Sequence, residues 1–164
     1  MKNSQLFVLS LIVALSVASN AYARVEKPCS GKNETLECLK ENFPDIYDGQ
    51  YFKFLLIVSK AEIAALNCSS AEKTAAYLGI ASKIGNNKEV EDGFKDILET
   101  KFLKEKTVCF LDALLLSDDN VKEIILGKYL TNPRYLKKEE VDAILSRYTG
   151  QEKYKEMLKR HGGK

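Results

Sequence analysis

The chain has 164 residues, with 25 Lys and Arg against 23 Asp and Glu, one His, four Cys and no Trp. Basic and acidic side chains balance and are interspersed, which excludes a nucleic-acid binder working through clustered positive charge. One His, no C-x-x-C pair, no H-E-x-x-H and no Gly-rich phosphate loop leave little material for nucleophilic, zinc or nucleotide chemistry.

In chain order, the first feature is Lys2 followed by an apolar run from Leu6 to Leu15. It closes on Ala21-Tyr22-Ala23 before Arg24, the pattern of a cleaved secretory leader. The run is too short for a membrane span. Residues 1–23 are expected to be a signal peptide and 24–164 a single domain. No later stretch is apolar enough for a stable membrane anchor. The destination is the periplasm in a bacterium, or the extracellular space in a eukaryote.

Cys29, Cys38, Cys68 and Cys109 all follow the cleavage site, so two disulfides are expected. Four cysteines allow three connectivities; Cys29–Cys38 with Cys68–Cys109 is the preferred one. Asn33-Glu34-Thr35 and Asn67-Cys68-Ser69 are sequons that matter only in a eukaryotic secretory route.

Helical periodicity recurs to the end of the chain, and no segment alternates with period two. A short helix is expected around Thr35–Leu39, stopped by Pro44. A strongly apolar helix follows over about 50–66, broad enough in its apolar face to be the most buried. Ser69 and Glu72 read as a capping box opening a helix that Gly85-Asn86-Asn87 closes. Small residues at Ala75, Ala76, Gly79 and Ala81 invite close helix packing. An amphipathic helix is expected over about 88–106, then a short apolar one over 108–116. Ser117-Asp118-Asp119-Asn120 caps the next, which Thr131-Asn132-Pro133 breaks. Val141 to Tyr148 and a weaker segment with Tyr154, Met157 and Leu158 complete an all-α fold of six to eight helices.

The search for chemistry comes back nearly empty. His161 lies in a Gly-rich tail, a poor place for a catalytic imidazole that needs held geometry. Glu91-Asp92, Asp118-Asp119 and Glu139-Glu140 are adjacent pairs whose members point apart, unlike the facing acids of a glycosidase. Asp112 interrupts an apolar helix and calls for a partner there, a lysine or the solvent edge. No enzyme activity, cofactor or metal is expected.

Three segments taken together carry a resemblance: Thr74-Ala75-Ala76-Tyr77-Leu78, Lys106-Thr107-Val108-Cys109-Phe110-Leu111-Asp112, and Gly127-Lys128-Tyr129-Leu130-Thr131-Asn132-Pro133. The first two resemble the small exported immunity proteins that neutralise type VI secretion amidases. The third resembles a Lys-Tyr-Leu-x-x-Asn/His-Pro stretch of a second immunity group for the same kind of toxin. The resemblance spans roughly residues 50–135. It implies a periplasmic, disulfide-bonded, all-helical inhibitor that binds a peptidoglycan-cleaving amidase and occludes its cysteine–histidine cleft.

For such a protein, a polar loop on a rigid scaffold is the expected contact. Asp118, Asp119 and Asn120 are the candidates, with Asn86-Asn87-Lys88 behind them. Helix capping accounts for the same three residues. The partners expected are therefore a protein toxin and, beside it, a second copy of the chain. The competing reading is a secreted carrier of small apolar ligands, of the odorant- or chemosensory-binding type, which would enclose an apolar cavity. Its cysteine spacing differs from that found here. A periplasmic acid-stress chaperone is a third.

Overall fold

The computed structural model describes residues 28–161. The expected leader and its cleavage site lie outside them, as does the side chain of His161. Among the described residues there are nine helices and no strand, so the all-α expectation holds.

Two short helices come first, α1 (Leu36–Glu41) and α2 (Phe43–Gly49), and then the long α3 (Tyr51–Leu66). Thr35 caps α1 by accepting the Cys38 N–H at 3.2 Å. Helix α2 is the one beyond the expected count. Pro44, the expected stop, stands in the first turn of α2, where a missing N–H costs nothing. Phe43 and Ile46 then bury against the core.

Helix α4 (Ala71–Leu78) runs on into a 3₁₀ turn, Gly79–Ser82. Its cap is Ser70 and not Ser69: the Ser70 hydroxyl accepts the Lys73 N–H at 3.3 Å and donates to Glu72 at 2.5 Å. Gly85 takes φ +59°, a left-handed conformation that Gly adopts without steric cost. Asn87 then caps α5 (Lys88–Asp96) by accepting the Val90 N–H at 3.2 Å.

Helix α5 continues without a break into a π-helical stretch, Ile97–Leu103. After it come α6 (Thr107–Leu116) and α7 (Asp119–Lys122), the latter again prolonged by a π-helical stretch, Glu123–Tyr129. Helices α8 (Lys138–Thr149) and α9 (Glu152–His161) close the chain. The last segment, expected to be weak, buries Tyr154, Met157 and Leu158.

Helix α4 packs between α3 and α6, and α9 lies across α8, α7 and α6. Small residues on both helices, Ala75 on α4 and Ala113 on α6, belong to the core around this contact. Tyr77, Phe102, Phe110, Leu111 and Tyr129 supply its bulk.

Both preferred disulfides are present. Cys29–Cys38 closes a span of 9 residues at the N-terminal end, and Cys68–Cys109 a span of 41 that ties the end of α3 to α6. In the chain-entropy picture the longer loop contributes about 4 kcal/mol against roughly 2.5 for the shorter. Cys68 ends α3 in the left-handed region at φ 52°, an uncommon place for a residue with a Cβ. Thr74, fully buried beside it, donates its hydroxyl to the Ala65 carbonyl at 3.1 Å and lies 3.7 Å from Cys109 Sγ.

The segment 131–137 has no regular structure, and a single side chain organises it. Glu99, on the π-helical stretch of α5, is wholly buried. Its carboxylate accepts the backbone N–H groups of Arg134 (3.0 and 3.1 Å), Tyr135 (2.7 Å) and Leu136 (2.9 Å). Arg134 also pairs with Asp92, and Lys95 donates to the Asn132 carbonyl at 3.0 Å. One face of α5 is therefore clamped to this segment, which fixes the helix whose other face lines the groove described next.

Candidate functional site

The expected contact loop is at the start of α7. Asp118 Oδ1 accepts the Val121 N–H at 2.8 Å, an ordinary N-cap, and Asp119 pairs with Lys122 at 3.1 Å. Asn120 is exposed. These three residues form a helix start on the surface; of them only Asp119 lines a cleft, a small one with Lys122, Glu156 and Arg160.

Asp112 has the partners its position called for. Tyr154 donates to Oδ1 at 2.6 Å and Lys153 pairs with the same oxygen at 2.6 Å. Desolvation pushes this carboxyl up, but hydrogen bonds from Lys153 and Tyr154 outweigh it and hold the group below its ordinary range. The cluster fastens α9 to α6.

A groove of about 350 Å³ lies between α3 and the first turns of α5, floored by α4. Its walls are Phe54, Leu55 and Val58 on one side and Val90, Phe94 and Ile97 on the other. At one end Glu89 accepts hydrogen bonds from Tyr47 (2.7 Å) and Tyr51 (2.9 Å), which together hold its carboxyl below the usual range.

Further along stand Glu62 and Asp96, with Tyr77 on the floor. Tyr77 is 2 % exposed and stacks on Phe94 with ring centroids 5.5 Å apart. Among the described residues its hydroxyl has no hydrogen-bond partner, and Glu62 has neither a hydrogen bond nor an ion pair. Burial, and then the charge on Asp96, push the Glu62 carboxyl above its ordinary value. Burial, and then Glu62, push the Tyr77 phenol up as well. The groove thus has aromatic and aliphatic walls and three carboxylates, and no basic side chain lines it.

Sequence reasoning placed none of this. Glu62 carries the same signal that singled out Asp112, an acid inside an apolar helix. Its position on the helix, however, does not reveal that a groove passes beside it.

Beside the groove, α3 turns a second apolar face outward. Phe52 is 87 % exposed, Ile63 59 %, Leu56 48 % and Leu55 42 %. At spacings of three, four and seven these residues share one stripe. The helix expected to be the most buried is apolar on both sides and buried on only one.

Among the described residues no group of His, Cys, Asp and Glu side chains is arranged to hold a metal ion, and no helix is long and apolar enough to cross a membrane. No family model, no curated protein and no solved structure matches the chain.

Proposed function

We propose that this protein is an exported inhibitor that acts by binding, and that its partner docks on the outward face of α3. The observation that carries the reading is the exposed stripe Phe52–Leu55–Leu56–Ile63. Several large apolar side chains exposed along one helix face, here broken only by Ser59, mark interaction sites on monomeric proteins. Phe52 stands out far enough to enter a pocket on a partner, the geometry of an interface anchor.

Two disulfides and an apolar leader support export. The partner class follows from the resemblance in residues 74–78, 106–112 and 127–133: a peptidoglycan-cleaving amidase whose cleft is occluded. The scaffold suits that mechanism. The long disulfide fixes the C-terminal end of α3 and little ordering remains to oppose association. The Asp118–Asn120 turn, in which Asp118 caps α7 and Asp119 pairs with Lys122, is the secondary contact. The carrier reading called for an enclosed apolar cavity; the groove along α3 is open and carries three carboxylates.

The test is inhibition. The oxidised protein is titrated into peptidoglycan amidases of the kind delivered between bacterial cells, and release of cleaved muropeptide is followed. Stoichiometric loss of activity with one amidase supports the proposal, provided Phe52→Asp and Leu56→Asp restore activity by at least tenfold. Inhibition relieved instead by Asp119→Ala and Asn120→Ala moves the contact to the start of α7. Absence of inhibition across the panel overturns the amidase reading.

A further inference from the structure

We propose that the groove between α3 and α5 is a binding site for a small amphiphilic cation, an ammonium group carried on an apolar chain. The site adjoins the docking stripe, with which it shares Leu55, and does not depend on the identity of any protein partner.

Three observations converge. The groove has a volume of about 350 Å³, within the lower range of small-molecule pockets, and its walls are apolar along most of their length. Phe54, Val58, Phe94 and Ile97 suit an alkyl chain or a small ring. Its polar groups are all of one kind: Glu62, Asp96 and Glu89 are acids, and no lysine or arginine lines the groove. Charge complementarity therefore selects a cation and rejects a fatty acid.

The third observation is the incomplete hydrogen bonding at the groove's inner part. Asp96 accepts from Thr100 at 3.2 Å, and Glu89 accepts from two tyrosines. Glu62 accepts from nothing among the described residues, and the hydroxyl of Tyr77, a residue otherwise packed in the core, reaches the groove and is likewise without a partner among them. Neither group is sealed in the interior: both line the open groove, where their hydrogen-bonding capacity is free for a group that is not part of this chain. An ammonium nitrogen placed between them donates to Glu62 and to the Tyr77 oxygen at once, and lies in the field of Asp96. A neutral alcohol meets one need and leaves the charge on Glu62 unanswered.

The experiment is a calorimetric titration of the oxidised protein with three probes of equal chain length, octylammonium, octanol and octanoate, each below its micelle concentration. The expected result is saturable one-to-one binding of octylammonium, at least tenfold tighter than octanol, with no detectable octanoate binding. Glu62→Gln is expected to weaken octylammonium about tenfold while leaving octanol unchanged. Tyr77→Phe, which keeps the ring contacts, is expected to weaken it several-fold. Far-ultraviolet circular dichroism confirms that both variants are folded, and Asp96→Asn serves as an independent third variant. Equal affinity for octylammonium and octanol, preference for octanoate, indifference to Glu62→Gln, or no binding by any probe overturns the proposal. The docking variants Phe52→Asp and Leu56→Asp fall outside the groove lining, so loss of inhibition in them and loss of cation binding are read separately.

Discussion

Glu99 and Glu62 are both acids inside helices whose neighbours are mainly apolar, and their surroundings could hardly differ more. Glu99 is wholly buried and accepts from three backbone N–H groups; Glu62 is half-buried and accepts from none among the described residues. The first carboxylate is consumed by the fold: it substitutes for the hydrogen bonds that an irregular segment cannot make with itself. The second contributes nothing visible to the fold and burdens it with an unpaired charge. An acid whose partners all belong to the chain is structural, and one without them is available to something else.

The comparison breaks most sharply at Glu99. Glu99→Ala leaves the N–H groups of Arg134, Tyr135 and Leu136 without an acceptor, at about 1–3 kcal/mol each. A loss of roughly 5 kcal/mol in urea unfolding is expected, a large part of the stability of a domain this size. Hydrogen exchange at Arg134–Leu136 should accelerate in step with the loss. A change below about 1 kcal/mol would mean that the segment 131–137 is held by Arg134–Asp92 and Lys95 instead, and the contrast with Glu62 would collapse.

Asp112 is the intermediate case, with a hydroxyl and an ammonium as partners. Asp112→Asn should cost about 1 kcal/mol, since the pair reaches solvent and is screened. The sign with pH follows from the lowered carboxyl. Its contribution is complete above the ordinary aspartate value of about 3.9 and is lost as pH falls from there through the lower folded value. Wild type and Asp112→Asn should therefore differ in stability at pH 6 and converge toward pH 2. Convergence at high pH instead would show that the ion pair does not stabilise α9 against α6.

These differences were only partly legible in the sequence, for identifiable reasons. Helices and disulfides follow from local periodicity and compartment, which the order of residues records directly. Pro44 misled because a proline that ends one helix is equally at home in the first turn of the next. The π-helical stretches of α5 and α7 keep apolar residues three and four apart, so their pattern matches an α-helix. Glu99 was indistinguishable from any acid on a helix, because its partners lie 35 to 37 residues downstream. Asp112 and Glu62 carry the same sequence signal, an acid within an apolar helix, and only the fold distinguishes them: Tyr154 and Lys153 reach the first, and an open groove passes the second. The composition of Asp118 to Asn120 suits a contact loop and a helix start alike, and the structure shows Asp118 capping α7.

The smallest expected effect is at Glu62, and its sign matters more than its size. Burial, and then Asp96, raise this carboxyl in the folded protein. A raised acid opposes folding once it ionises: the cost appears as pH climbs through the unfolded value of about 4.3 and is complete above the folded one. Glu62→Gln removes that cost, so the variant should be slightly more stable than wild type at pH 7, by about 0.5 kcal/mol after allowance for solvent screening. At pH 3, where both folded and unfolded chains carry a neutral group, the difference should vanish. A clear destabilisation at pH 7 would place Glu62 with Glu99 as a structural acid. Thermal scans at the two pH values, with and without octylammonium, separate the cases. The cation should raise the melting temperature of wild type and scarcely move that of the variant, because only in wild type does it neutralise a charge that the fold leaves unpaired.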